Sequence, residues 1–573
     1  MADKKPTTIQ PASPSEATLV RGNILHRWWV IVRDGFRGMT WGKPLIWLIL
    51  IKLFIMFAMT AMYHWLFVPL TLGMGLVMAI AESKYLRTKE DFWRETAKFW
   101  QKIFGINFAI GVATGLILEF EFGTNWSNYS HFVGDIFGAP LAIEGILAFF
   151  LEATFFVVMF FGWGKVSDRF HHFATWMTIL GATISAWWIL VANGWMQNPA
   201  GMHFNPDTVR NEMIDFAAVA LNPMAVAKFF HSVISSWLLG AIVAMGICGY
   251  YLLRDKRNRF AIESIKLASA LGIVASVLTI ATGHLSANQV AEYQPMKLAA
   301  IENLQRGQQG APLSIIGMPS KDAHPVLAPE EEAWNFNLEM PKVLSFLAFN
   351  DFNAYVPGMR DIIEGGYTKR DGTIAMSADD RIASGKVAIQ ALADYKAAKK
   401  AGDEAAAAGY RQVLDDNFAN FGYGFIENKA DLVPNVSMLY YTFRIMVYLS
   451  VFFLLVTILG YIFAKRTITK PAEHDMRRQG WFSWVMLISI PLVYICSQCG
   501  WIVAEVGRQP WAIQEVLPVG AAISDLNAGS VQVTFWIFVC FFTAMLIADI
   551  CIMVHAVKKG PRTDEELPAA PER

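Results

Sequence analysis

The stretch WFSWVMLISIPLVYICSQCGWIVAEVGRQPW, residues 481–511, decides the fold class. From Trp481 to Ala504 it carries no Asp, Glu, Lys or Arg, and about 20 helical residues cross a bilayer core. The run ends on Glu505 and then Arg508, with Trp501 one turn earlier. A carboxylate and a guanidinium at the mouth of a membrane helix are expensive and ordinarily hold something. Eight other runs share its apolar character, at about 46–81, 100–120, 138–163, 174–195, 224–253, 264–284, 436–464 and 530–556. The chain therefore reads as an all-α polytopic membrane protein of nine transmembrane helices, with a large loop between helices six and seven.

Composition supports this reading. Of 573 residues 54% are hydrophobic and only 17% charged, against about a quarter charged in soluble domains. Formal net charge is zero, so no global basic field points to nucleic acid. The five cysteines lie in or beside apolar runs, so no disulfide framework is expected in the large polar segment. Cys496-Ser497-Gln498-Cys499 has CxxC spacing but no second pair, and reads as small apolar residues in a span. The first 40 residues hold no apolar core ahead of a cleavage site, so no cleavable signal is expected.

Charge in the connections sets the topology. The link at 82–102 carries Lys84, Arg87, Lys89, Arg94, Lys98 and Lys102, whereas 121–137 carries no Lys or Arg. Lys165 and Arg169 follow the third span, and Arg254, Lys256, Arg257 and Arg259 the fifth; the 196–223 link has Arg210 alone. Positive links stay cytoplasmic. This places the loop at 285–435 outside and the C-terminal tail, 558–573, inside. By parity the N-terminal extension, 1–44, falls outside despite its Arg33, Arg37 and Lys43. It reads as a disordered arm followed by an interfacial segment, since 45–81 contains no turn signal for a hidden hairpin. Residues 45–284 thus hold spans one to six, and 436–557 spans seven to nine. Within the outer loop, Ser377–Lys399 and Asp403–Asn417 read as two helices. Pro312, Pro319, Pro325 and Pro329 mark extended chain before them.

Several polar groups fall inside the apolar runs. His64 lies in the first span, where a histidine is a metal or haem ligand or an interhelical hydrogen-bond partner. With this topology His64, His231, Met446 and Glu505 all lie in the outer half of the bilayer, and His with Met is a recognised axial pair for low-spin haem. Glu144 and Glu152 share the third span. Eight α-helical residues would set them about 80° apart in azimuth and about 12 Å apart in depth, as two steps of a proton relay or as two protonated acids bonded to neighbouring helices. Ser185, Asn193 and Glu119 add polar groups that, singly, are interhelical glue. The other histidines lie in loops or at span ends and read as bystanders.

With those residues in place the chain resembles subunit I of the cytochrome bd quinol oxidases. The resemblance rests on Ala61-Met62-Tyr63-His64-Trp65-Leu66-Phe67-Val68-Pro69, Gly138-Ala139-Pro140-Leu141-Ala142-Ile143-Glu144-Gly145, Val191-Ala192-Asn193-Gly194-Trp195, Phe443-Arg444-Ile445-Met446 and Gly507-Arg508-Gln509-Pro510-Trp511. It implies a catalytic subunit that oxidises quinol at the outer side and reduces O2 with cytoplasmic protons, electrogenically and without a pump. It further implies three haems: a low-spin haem b on His231 and Met446, a high-spin haem b, and a haem d or further haem b. His64 and Glu505 would be axial ligands of the last two, with Trp501 beside them. Glu144, Glu152 and Ser185 would carry protons, Lys297 and Glu302 would belong to the quinol-oxidation segment, and Arg444 and Arg508 would offset haem propionates or ligand carboxylates. Partners would be a second large oxidase subunit and small single-span subunits, in a bacterial inner membrane. Where the family has Ser-Arg-x-Gln-Phe ahead of the first histidine, this chain reads Leu53-Phe54-Ile55-Met56-Phe57. The alternative from the residues alone is a proton-coupled transporter using Glu144 and Glu152, which would show inverted repeats.

Overall fold

The computed structural model describes residues 44–255, 258–320, 326, 333–524 and 528–562. The expected arm at 1–43 and the tail beyond 562 lie outside the described residues. Among those described, nine helices are long and apolar enough to cross a membrane. The first six are Ala58–Thr88, Asp91–Glu121, Gly134–Phe161, Asp168–Gln197, Phe216–Leu253 and Asn258–Tyr293. The last three are Lys429–Thr469, Gly480–Val506 and Gln532–Lys559. Each contains one of the nine apolar runs or most of it, because a backbone in hydrocarbon must satisfy its own hydrogen bonds. The first run continues one uninterrupted helix, Pro44–Thr88, with no hairpin inside it.

The fifth span is the hub, with its apolar window 83% buried against 11% for the third and ninth. Small residues let its neighbours approach at backbone distance. A Cβ at Gly73 of the first span would fall 2.2 Å from the Ser236 carbonyl oxygen, and one at Gly240 2.3 Å from the Gly73 carbonyl carbon. Gly194 of the fourth span sits in the same way on Ala225.

The third span departs from α-geometry where its first acid lies. Gly134–Ile143 is α-helical, Glu144–Phe149 is a π-helical turn and Phe150–Phe161 is α-helical again. A π-turn accommodates one extra residue, so Glu144 and Glu152 are offset by about 20° rather than the about 80° of a regular helix. The two acids therefore share a face.

The polar segment between spans six and seven folds over one end of the bundle. Ser377 caps the helix Ala378–Ala401 by accepting from Asp380 N, and Asp403 caps Glu404–Asn417 by accepting from Ala406 N. Gly402, at φ +77°, turns between them. The extended chain marked by prolines is a β-hairpin, Leu313–Pro319 against Trp334–Met340; Pro325 and Pro329 lie outside the described residues. Arg381 docks this layer onto the segment after span eight. It donates to both Glu515 carboxylate oxygens at 2.7 and 2.8 Å, and Tyr423 donates to the same carboxylate at 3.0 Å.

Candidate functional site

A cavity of about 330 Å³ opens between spans one to five and eight. His64, Glu144, Glu152, Ser185, Glu505, Arg508 and Trp501 all line it. Residues more than 400 positions apart in sequence thus meet around one apolar space with a few convergent polar groups, the usual form of a cofactor site.

On one side lies the carboxylate. Arg508 bonds Glu505 Oε2 at 2.7 Å, and Asn193 Nδ2 donates to Oε1 at 3.1 Å. Arg508 also donates to the Ala512 carbonyl at 3.0 Å. Lys228 donates to Asn193 Oδ1 at 2.5 Å, and Lys297 lies close enough to act on Glu505 through its charge. One carboxylate therefore faces three basic side chains. Lys297 is 2% exposed and donates to Gln197 Oε1 at 3.0 Å and Gln294 Oε1 at 2.8 Å. Burial, with Lys228 beside it, holds its ammonium well below the usual lysine range. Trp501 stacks on Trp65 with ring centroids 5.5 Å apart, and Trp65 Nε1 donates to Ser497.

Across the cavity Ser185 donates to Glu144 Oε1 at 2.6 Å, while Glu144 Oε2 is buried with no protein partner. Glu152 is 7% exposed, and Gly181 of the fourth span lets its backbone approach. Glu119, read from sequence as glue, lines the same wall and acts on Glu144 through its charge. The Glu144 to Glu152 ladder, with Ser185 alongside, runs along one face toward the other end of the third span.

His231 and Met446 are not among the cavity's lining residues. His231 directly precedes Ser232 and Val233 of its wall. Met446 lies against the eighth span, where a Cβ at Gly500, next to Trp501, would meet its Sδ at 3.1 Å. Cys496 Sγ reaches the Met446 carbonyl at 3.4 Å, a packing contact between spans seven and eight. Glu302 and Arg444 form a separate buried pair: Arg444 Nη2 donates to Glu302 Oε2 at 2.6 Å and to Ser314 O at 2.9 Å, and Nη1 to Ile301 O at 2.7 Å. Burial pushes the Glu302 carboxyl up, with Arg444 opposing. The Arg444 guanidinium is thus engaged by a loop carboxylate.

The donor set fits iron porphyrins on three counts. His64 and His231 each hydrogen-bond through Nδ1 to a threonine, Thr114 at 2.9 Å and Thr282 at 3.2 Å, which leaves Nε2 as the coordinating nitrogen. Gly111, Gly115 and Gly145 line the cavity without side chains, and a Cβ on Gly145 would meet nothing within 4 Å. Three basic side chains around the single Glu505 carboxylate suit further anionic groups, such as propionates.

Sequence reading missed three participants. Lys228 is an ionisable group within span five, and that alone flags a functional group. Thr114 and Thr282 carry no such signal, because a threonine in a span is usually bonded to its own helix. His171, read as a bystander, is 1% exposed and pairs with Glu82 at 2.6 Å.

The sequence model of the family described as "Cytochrome bd terminal oxidase subunit I" matches residues 55–561, and a domain of unknown function, DUF4492, matches 22–85. The chain is 38% identical over 511 residues to cytochrome bd-II ubiquinol oxidase subunit 1 of Escherichia coli (strain K12), covering 88% of this chain and 95% of that protein. It is 31% identical over 511 residues to cytochrome bd ubiquinol oxidase subunit 1 of Bacillus subtilis (strain 168), covering 89% and 94%. Its fold matches the solved structure of bd oxidase from Geobacillus thermodenitrificans with a TM-score of 0.71 at 23% identity, covering 90% of this chain and 99% of that one.

Proposed function

Given that this chain belongs to the cytochrome bd terminal oxidase subunit I family and is therefore the catalytic subunit of a quinol:O2 oxidoreductase, we propose that four side chains hold its haems. His231 and Met446 would hold a low-spin haem b; His64 and Glu505 would hold a high-spin haem b and a haem d or further haem b. When bound, the haems supply one-electron transfer and the activation of oxygen. The observation that carries this reading is the pair of histidines with Nδ1 engaged by threonine and Nε2 left to coordinate.

The chain's own residues have the following work. Arg508 and Asn193 orient the Glu505 carboxylate, each taking one oxygen. Arg508, Lys228 and Lys297 balance that carboxylate and would balance the propionates of a bound haem. Glu144, Glu152 and Ser185 hand protons from the cytoplasmic side to the cavity, and the π-turn at Glu144–Phe149 turns both acids to one face. The outer layer binds quinol, with Lys297 and Glu302 near its entry to the bundle. Quinol protons leave outside while oxygen reduction draws protons from inside, so charge separates without a pump. The loop lies outside and the C-terminal tail in the cytoplasm of a bacterial inner membrane. Exposed Ile146, Leu147, Phe150, Val157 and Phe161 on the third span suit lipid, a second large subunit and small single-span subunits.

The test is the reduced-minus-oxidised spectrum of the purified complex, compared with His64→Ala and Met446→Leu. Each substitution is expected to remove or alter one haem signal and leave the others. Spectra unchanged in both would overturn the ligand assignment.

A further inference from the structure

Threonines that bond back to their own helix are common, and several do so in these spans, Thr178, Thr183 and Thr442 among them. Two differ in what reaches the other side of the hydroxyl. Thr114 Oγ1 lies 3.0 Å from Ile110 O and 2.9 Å from Gly111 O, and Thr282 Oγ1 lies 2.9 Å from Leu278 O and 3.2 Å from Thr279 O. A hydroxyl has one proton, and in both residues carbonyls three and four positions back take it. Toward the imidazole the oxygen can then only accept, so Nδ1 of His64 and of His231 must carry the ring proton.

The next residue repeats the correspondence. Gly115 follows Thr114, and Gly283 follows Thr282. A Cβ on Gly115 would lie 3.0 Å from His64 Cε1, and one on Gly283 3.3 Å from His231 Cε1. With alanine preceding each threonine, Ala113-Thr114-Gly115 and Ala281-Thr282-Gly283 stand in the second and sixth spans, each against a histidine of a different helix.

We propose that these two Ala-Thr-Gly tripeptides are one histidine-positioning device used twice: the threonine fixes the tautomer and aims Nε2, and the glycine clears the ring's Cε1 edge. Thr114 and Thr282 are positioning residues that act through the imidazoles. Their acceptor is a neutral hydroxyl rather than a carboxylate, so the ligand stays a neutral imidazole of moderate donor strength. This inference rests on the reading of His64 and His231 as haem ligands.

The experiment uses the intact oxidase complex with Thr282→Val, Thr282→Ser, Gly283→Ala and His231→Ala. Haem content per complex and midpoint potentials come from spectroelectrochemical titration, with the remaining haems as the internal control for folding. Thr282→Val keeps the shape but removes the acceptor. It is expected to weaken retention of the His231 haem about tenfold and shift its potential upward, since the ring loses its hydrogen bond from Nδ1. Thr282→Ser should restore both, and Gly283→Ala should alter that haem's band with the threonine bond still present. Wild-type retention and potential in Thr282→Val, with the band lost in His231→Ala, would overturn the device and leave the ligand reading standing. A band kept in His231→Ala would overturn the ligand reading itself. Should Thr282→Val not assemble, an unaltered band in Gly283→Ala overturns the proposal and an altered one supports it.

Discussion

Removing Glu302 tests how the outer layer is fixed to the bundle. Arg444 is 7% exposed and Glu302 5%, so neither charge has water to fall back on. Glu302→Ala strands the guanidinium, and breaking a buried pair in this way costs about 3–5 kcal/mol. Arg444 would keep its bonds to Ile301 O and Ser314 O and its place 4.0 Å over the Tyr440 ring. Two of its three hydrogen bonds survive, which places the loss near the lower figure, about 3 kcal/mol. At about 1.4 kcal/mol per tenfold, local opening of the hairpin Leu313–Pro319 with Trp334–Met340 should rise by about two orders of magnitude. Amide hydrogen exchange of the complex in lipid nanodiscs reads that opening strand by strand. The double variant Glu302→Ala with Arg444→Met removes both charges and should return most of the protection, because an apolar replacement of a buried pair is often neutral. Wild-type exchange in the single variant, or a double variant as damaged as the single, would show that the buried pair does not hold the hairpin.

Three further outcomes follow from the geometry. Glu152→Gln should slow oxygen turnover by about a hundredfold while haem spectra stay unchanged; unaltered turnover in stopped-flow oxygen consumption would remove Glu152 from the proton route. At Glu515 burial pushes the carboxyl up, but Arg381 and the Tyr423 hydroxyl outweigh it and hold it below the usual carboxylate range. The docking it supplies is therefore fully present above the unfolded carboxylate pKa and is lost as pH falls through the lower folded value. Proteolysis of the helices Ala378–Ala401 and Glu404–Asn417 should accordingly increase only in acid, and Glu515→Gln should abolish that acid dependence. Gly73→Val would drive a side chain into the Ser236 carbonyl and Gly240, at a cost above about 3 kcal/mol; an unchanged melting temperature of the complex would contradict the close packing of spans one and five.

The spans were legible because hydrocarbon leaves the backbone little choice: among the described residues each of the nine apolar runs falls in a helix. The capped helices of the loop were legible through Ser377, Asp403 and the Ala-rich stretches between. Glu144, Glu152, Ser185, His64 and Glu505 could be singled out because polar groups in a membrane are costly, and family membership sets aside the transporter that used the same acids. What sequence did not disclose depends on three-dimensional neighbours. The π-turn at Glu144–Phe149 leaves no mark in residue types, so the azimuth of the two acids came out wrong by about 100°. Lys297 and Glu302 are close in sequence, yet one turns toward Glu505 and the other pairs with Arg444. Thr114 and Thr282 look like any span threonine until the histidines of other helices are set against them.

His64, His231, Met446 and Glu505 are proposed to hold the haems at which quinol electrons meet oxygen. The reduced-minus-oxidised spectrum of the purified complex, recorded with quinol as reductant for the wild type and for His64→Ala, tests it most directly. Quinol-reducible haem bands are expected in the wild type, and loss of a single haem's contribution, together with oxygen reduction, in the variant. A well-folded complex without haem bands, or a His64→Ala complex with every band and full oxygen consumption, would contradict it.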